Sequence, residues 1–335
     1  MSDTQFRHGK KRFYDNTKFP RGFAKSGDFT LAEELIGRAA DAGAGAVKFQ
    51  TIVPTELVSA LETKRVAQLE KFRFTYEQFE KLKATADHEG IQFLSTPFDL
   101  GSLAFLTSLV PAFKIASGDN DFYPLVDAAT KTGKPLIVSS GLLELDEIVA
   151  LRNRIDCARD GAPTDLVVMH CVVDYPTPKA DANLGAIRAL AMVGVVPGYS
   201  DHTLGIAAAT LSVAAGARVV EKHFTLAHDH SEFRDHQLSA NPAQLEQLAA
   251  QIQEANILVG DGVKRVGSGE EQNRNAVRRS IVAKSDLPAG KTISFEDLSW
   301  LRPGDGLRPG EENRVLGKKL RYAVKKGEKI LPEHV

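Results

Sequence analysis

The chain has almost no cysteine: Cys157 and Cys171 are the only two in 335 residues, and they lack metal-pair spacing. A disulfide framework is thereby excluded as the basis of the fold, and both are expected as reduced thiols in a cytoplasmic protein. Net charge is nearly absent too, 42 Lys and Arg against 43 Asp and Glu, a formal −1. Without a basic excess to neutralise phosphates, nucleic acid is not an expected partner. No apolar run is long enough to span a bilayer, so no membrane is expected either. Residues 1–12 are polar and basic, with no apolar stretch of the kind a secretory signal needs. No internal repeat or low-complexity tract appears, and no strand-like run is followed by Gly-x-Gly-x-x-Gly, the turn that cradles a dinucleotide.

What is present is alternation. Short apolar runs at 46–49, 91–94, 112–116, 136–138, 166–170, 195–198 and 217–220 read as buried strands. Helical spacing of apolar residues fills the intervals at 31–42, 76–88, 100–109, 124–132, 144–154, 184–191 and 204–215, and again at 242–258. Strands separated by amphipathic helices predict a parallel sheet covered by helices, an α/β fold. Seven strands are clear, and an eight-stranded α/β barrel needs one more at the front. The stretch available, 12–28, is polar and contains Pro20, so it reads as a poor strand. An open doubly wound sheet is the alternative. The (β/α)8 TIM barrel with a degenerate first strand is preferred, because polar residues end many strands rather than those at one switch point. Residues 263–277 are expected as a linker between a barrel domain at 1–262 and a small, mostly β domain at 278–335.

Several polar residues stand where chemistry is expected. His202 and His223 each lie just beyond an apolar run, in Gly-Tyr-Ser-Asp-His-Thr and Glu-Lys-His-Phe-Thr-Leu. In a barrel, successive strand ends are neighbours on one rim, so two imidazoles distant in sequence can share a divalent metal. Either histidine alone reads more simply as structural. Lys48 lies between Val47 and Phe49, and Lys114 between Phe113 and Ile115. Alternation turns the apolar neighbours outward and the lysines into the barrel, where each needs an anion. Solvated rim charges are the plainer reading. Glu221 shares a strand face with His223, two residues on; a salt bridge to a neighbouring lysine is its alternative role.

Taken in order, the motifs resemble the sialic acid synthase family with its C-terminal antifreeze-like (SAF) domain. They are Val-Lys-Phe-Gln-Thr (47–51), Ser-Thr-Pro-Phe-Asp (95–99), Lys-Ile-Ala-Ser-Gly-Asp (114–119), Gly-Lys-Pro (133–135), Ser-Ser-Gly (139–141), His-Cys (170–171), Tyr-Pro-Thr-Pro (175–178), Asn-Leu (183–184) and the two histidine motifs. The resemblance implies condensation of phosphoenolpyruvate with an N-acylated mannosamine-type sugar. The product is a nine-carbon 2-keto-3-deoxy acid plus phosphate. C3 of the enol attacks the open-chain aldehyde, and water adds at C2 before phosphate leaves. It implies a divalent metal, manganese or magnesium, on His202 and His223. Lys48, Lys114, Ser117, Asp119 and Ser139 are implied around the phosphate and carboxylate, with Glu221 near the enol carbon. Gln50, Phe98, Tyr175 and Asp235 are implied around the sugar, although Phe98 reads equally as core packing. His228, His230 and His236 read as loop histidines. Arg302 is implied to reach the N-acyl group in the other chain of a domain-swapped homodimer.

Three places depart from the family pattern. Its first strand carries a Glu-x-Gly-x-Asn-His-x-Gly-like segment; counted back from Lys48, the glutamate becomes Pro20 and the Asn-His pair Ala24-Lys25. Val173 replaces a usually polar residue two before the tyrosine, and Phe233-Arg234 replaces Gly-Pro before Asp235. The expectation is a synthase whose activity is impaired by its divergent N-terminus, or a relative that binds the ligands without turnover. An aldolase with a Schiff-base lysine at 48 or 114 is the remaining alternative.

Overall fold

A computed structural model describes residues 28–159, 165–229 and 235–335, and for 18–22 the course of the backbone. The chain forms two compact units, Met1–Gly260 and Asp261–Val335, each taken by itself below.

The first unit alternates strand and helix. Its strands are β1 (Lys18–Gly22), β2 (Ala46–Thr51), β3 (Gln92–Pro97), β4 (Phe113–Ile115), β5 (Leu136–Ser139), β6 (Leu166–Cys171), β7 (Val196–Asp201) and β8 (Val219–Phe224). Every ladder between them is parallel: one of six strands, ordered β1-β8-β7-β6-β5-β4, and one pairing β2 with β3. β1 lies beside β2, and β3 beside β4, so the two ladders follow one another in strand order. The helices are α1 (Phe29–Asp41), α2 (Pro54–Leu57), α3 (Thr63–Glu70), α4 (Tyr76–His88), α5 (Leu100–Leu106), α6 (Tyr123–Lys131), α7 (Leu145–Ala158), α8 (Ala186–Met192), α9 (Ala207–Ala215), α10 (Asp235–Leu238) and α11 (Pro242–Val259). Their starts follow ordinary capping chemistry. The Asp28 carboxylate accepts from Leu31 N at the head of α1, and Thr75 with Gln78 closes a capping box on α4. Side-chain oxygens there satisfy N–H groups that a first helical turn leaves unbonded. Asn241 and Gln244 do the same for α11.

Alternation along the strands sorts apolar side chains into two cores. Val47, Phe49, Phe93, Phe113, Ile115, Val138 and Val168 face the helices, where Leu35, Ile36, Phe79, Leu82 and Leu106 meet them. Each such fully buried side chain contributes about 1.5–3 kcal/mol of burial. On the opposite face Ala46, Leu94, Ala112, Ile137, Val167, Met169 and Val219 form a separate apolar cluster with Val196. Gly198 makes this inner cluster possible: a Cβ there would lie 3.0 Å from both Met169 Cγ and the Val219 carbonyl oxygen.

Three sequence expectations change. The stretch read as a poor strand contains a regular one, β1, in register with β8 through Phe19↔Glu221, Pro20↔Lys222 and Arg21↔His223. Local propensity is overridden because β8 offers a row of backbone groups that need partners. The remainder of that stretch, including Ala24 and Lys25, lies outside the described residues. The strands also run further than their apolar residues. β2 continues past Phe49 to Thr51, β3 past Leu94 to Pro97, and β7 past Gly198 to Asp201. Finally, the segment read as a linker carries a helix, α12 (Ser268–Val277).

In the second unit α12 is followed by the antiparallel pair β9 (Ser280–Ala283) and β10 (Leu298–Leu301). Single bridges such as Leu287↔Val324 and Thr292↔Lys319 extend the β character. Ile281, Leu287, Ile293, Leu298, Leu307, Val315, Leu320, Val324 and Ile330 make its own small core.

Candidate active site

Above the inner apolar cluster the same strand face turns polar in two steps of two residues. From Ala46, Leu94, Ala112, Ile137, Met169 and Val219 the next inward positions are Lys48, Thr96, Lys114, Ser139, Cys171 and Glu221. Two further on β2 and β8 come Gln50 and His223. Residues at i and i+2 of a strand share a face, so this layering is written in the strand period.

The first polar layer holds two buried lysines. Lys48 and Lys114 are each 2% exposed. Lys48 Nζ lies 2.8 Å from Glu221 Oε2, and the Ser200 hydroxyl donates to Glu221 Oε1 at 3.0 Å. Lys114 Nζ donates to Ser139 Oγ at 2.6 Å and to its neighbour's carbonyl, Ile115 O, at 3.0 Å. Asn120, buried behind this lysine, donates to the carbonyls of Ser139 and Gly141 at 3.1 and 2.9 Å and fixes the loop after β5. Asp119 is half-buried near by. Burial pushes its carboxyl up to about 6, Asp121 adds to the rise, and the Lys114 charge opposes it. Thr96 Oγ1 is fully buried and has no hydrogen-bond partner among the described residues. A buried hydroxyl of that kind is a place for a ligand acceptor.

The second layer is aromatic and imidazole. The rings of His202 and His223 lie 5.1 Å apart at 78°, and Tyr175 packs on both, 4.2 Å from His202 and 6.2 Å from His223. His202 Nδ1 lies 2.8 Å from the Val172 carbonyl oxygen. A carbonyl only accepts, so in the neutral ring the proton sits on Nδ1 and Nε2 keeps the lone pair. Asp235, at the start of α10, places Oδ2 3.8 Å from His223 Nδ1. Ser117 Oγ lies 3.5 Å from Cys171 Sγ, which is itself 3.9 Å from His202 Nδ1. The two layers are thus linked side by side. Gly141 sits where three loops meet: a Cβ there would fall 2.5 Å from Val173 Cγ2 and 2.6 Å from Ser117 Oγ.

Gln50 and Phe98 are half-buried at the ends of the first strand pair. His228 Nε2 lies 3.0 Å from the Ser239 carbonyl oxygen, and His236 Nδ1 2.8 Å from Thr225 Oγ1, bonds of the loop itself. His230, Phe233 and Arg234 lie outside the described residues. Arg302 belongs to the second unit and is exposed. Ser200, Asn120, Thr96 and Cys171 were not singled out individually as site residues. Ser200, Thr96 and Cys171 lie within the motifs given above, and Asn120 directly follows the Lys-Ile-Ala-Ser-Gly-Asp motif.

No group of three or more His, Cys, Asp or Glu side chains suited to one cation occurs among the described residues. The two imidazoles are therefore the donor set to test. Their closeness, with the lone pair of His202 set on Nε2, fits an ion that takes imidazole nitrogen and completes its shell with oxygen from water or substrate.

An α/β fold of parallel strands whose inner face passes from an apolar layer to buried lysines and then to paired imidazoles has its polar side chains gathered as in an enzyme of the sugar-acid synthase class. Within that class the chain belongs to the NeuB family, whose model matches residues 35–264; a SAF domain follows at 278–335. It is 38% identical to the N,N'-diacetyllegionaminic acid synthase of Legionella pneumophila, across 94% of this chain and 92% of that protein. It is 32% identical to a pseudaminic acid synthase of Campylobacter jejuni, across 91% of this chain and 92% of that one. The crystal structure of N-acetylneuraminic acid (sialic acid) synthetase from Leptospira borgpetersenii in complex with citrate superposes with a TM-score of 0.73 at 31% identity. It covers 78% of this chain and 91% of that one.

Proposed function

We propose that the chain is a nine-carbon sugar-acid synthase that condenses phosphoenolpyruvate with an N-acylated aminosugar and releases phosphate. The observation that carries the reading is the pairing of two buried lysines, Lys48 and Lys114, with two adjacent imidazoles on one inner strand face. A phosphate ester bearing a carboxylate needs fixed cations and donors in a site screened from water. Lys114, Ser139, Ser117 and Thr96 supply them, with Lys48 beside Glu221. The eight strands are read as a TIM barrel, with this site at the C-terminal ends of the strands, where such barrels carry their chemistry.

The chain's own groups divide the work. Lys114 and the hydroxyls hold the phosphate, and Lys48 orients the enol while holding Glu221 ionised toward it. Asp119, with its carboxyl pushed up to about 6, keeps a minor protonated fraction near neutral pH and supplies or takes a proton at the phosphate end. Gln50, Phe98, Tyr175 and Asp235 seat the sugar, and Tyr175 screens the imidazoles from solvent. His202 and His223 hold a divalent ion, manganese or magnesium, that polarises the aldehyde as a Lewis acid. The reading includes a cytoplasmic homodimer in which Arg302 of the partner subunit meets the N-acyl group.

The acceptor class follows the relatives. Diacetamido trideoxy hexoses of the legionaminic type stand first, and N-acetylmannosamine or its phosphate second, on the identity to the Legionella protein. The test is phosphate release from phosphoenolpyruvate with each sugar in turn, with and without metal. Release that needs both sugar and metal supports the reading; release with neither, or none with any acceptor, overturns it.

A further inference from the structure

On the outer face of β7 and β8 lies a second buried ion pair that the reaction above does not use. Lys222 Nζ donates to Asp201 Oδ2 at 2.8 Å and to the Thr203 carbonyl at 2.5 Å. Lys222 is 1% exposed and Asp201 0%. The other oxygen, Asp201 Oδ1, accepts from the Tyr199 hydroxyl at 3.2 Å and from Thr203 N at 2.9 Å. Both backbone groups of Thr203 are therefore held by this one pair. Thr203 directly follows His202.

Asp201 and Lys222 are cross-strand partners in the β7–β8 ladder, next to the pair Ser200 and Glu221. Strand alternation puts their sequence neighbours on the opposite face. Ser200 and His202 flank Asp201, and Glu221 and His223 flank Lys222. The ion pair thus sits back to back with the Ser200–Glu221 bond and the His202–His223 ring pair. The remaining groups of His202 are fixed as well: its carbonyl accepts from Thr177 N at 2.9 Å, and its Nδ1 meets Val172 O at 2.8 Å. Stability alone does not account for an ion pair here, since apolar side chains of like volume often serve as well or better. What the pair supplies is direction: two charged groups, each committed to a different end of the Thr203 peptide.

We propose that Asp201 and Lys222 are positioning residues that set the backbone of His202 and the register of His223, and so the orientation of the two imidazoles toward a shared divalent ion. The proposal rests on the reading of these histidines as metal ligands. Residues that orient ligands in this way typically carry about ten- to a hundredfold in metal affinity.

The test uses the full-length Asp201→Asn/Lys222→Met variant, which leaves no lone buried charge, and Tyr199→Phe, which removes one donor to Asp201 and keeps both charges, as a milder second change. Circular dichroism melts establish that each is folded. Two readouts follow. Nitrogen NMR of the metal-free protein reports the His202 tautomer, expected as Nδ1–H in the wild type and as a mixture in the variants. Calorimetric titration with manganese is expected to show about ten- to a hundredfold weaker binding in the double variant, with a smaller loss in Tyr199→Phe. A folded variant with the wild-type ring spectrum and manganese affinity overturns the proposal. Should the wild type bind no manganese, the metal assignment falls, and the ring spectrum alone still decides whether the pair orients His202.

Discussion

Lys48 and Glu221, on β2 and β8, meet at 2.8 Å with side chains only 2% and 3% exposed. The interior lysine that the alternation of Val47 and Phe49 implies has found its anion within the chain, and the substrate joins a pair already made. Removing one member leaves the other buried without a counter-charge, at a cost of roughly 3–5 kcal/mol. Lys48→Met and Glu221→Gln are each expected to lower the unfolding free energy from urea titration by about that amount. The double variant should recover most of the stability but none of the turnover. Near-wild-type stability in either single variant would show that the pair is not maintained in solution.

Asp119 gives the protein a pH signature. Burial pushes its folded carboxyl up to about 6, well above the usual carboxylate range. The native state therefore holds a proton that the unfolded chain has already lost between roughly pH 4 and 6. The associated stability is present below that window and is lost as pH rises through it. Asp119→Asn should flatten the melting temperature over this range. Lys114→Met removes the charge that opposes the rise, so the carboxyl signal in carbon NMR should move to still higher pH. A flat wild-type profile would contradict the burial of this group.

Arg302 provides a test of subunit sharing. Under the proposed homodimer, a chain carrying Arg302→Ala and one carrying Lys114→Ala each lack a different part of the site. Heterodimers isolated by two affinity tags should regain up to about half of the wild-type rate, since one of two sites is intact. No recovery in verified heterodimers would place Arg302 in its own chain's site or in none.

The N-terminal segment can be repaired. The alignment puts Pro20 at the family's glutamate, whereas the ladder sets Pro20 beside Lys222, one position from both Glu221 and His223. Replacing residues 20–27 with Glu-Ile-Gly-Val-Asn-His-Asn-Gly, preceded by an apolar strand, is expected to raise turnover about a hundred- to ten-thousandfold, the usual range for an acid–base group. Equal rates before and after would mean that the carboxylate is not needed.

The apolar starts of seven strands and most helices were legible because burial on both faces leaves continuous runs such as Leu166 to Met169. The polar continuations of the strands were not. Apolarity was the signal, and it lapses at Gln50, Thr96 and Ser200 while the backbone ladder goes on. β1 was illegible for a different reason: its pairing is imposed by β8, not by its own residues. The helices α2 and α3 left too little periodicity to be read. Interior lysines could be inferred from their neighbours, but the choice of Glu221 for Lys48 depends on β2 and β8 lying on either side of β1. Asp201 and Lys222 were hidden by the histidines beside them, since a motif does not show which of its residues face inward.

The stacking of the inner strand face also bears on the order of events. The apolar layer of Ala46, Ile137 and Val219 fills one end of the face, the lysines come next, and the imidazoles with Tyr175 follow toward the strands' C-terminal ends. Under the proposed function, an anion on the lysines would lie beneath a sugar at the imidazoles. Stacked sites of that kind would make binding follow a compulsory sequence, with the anion first and the sugar second.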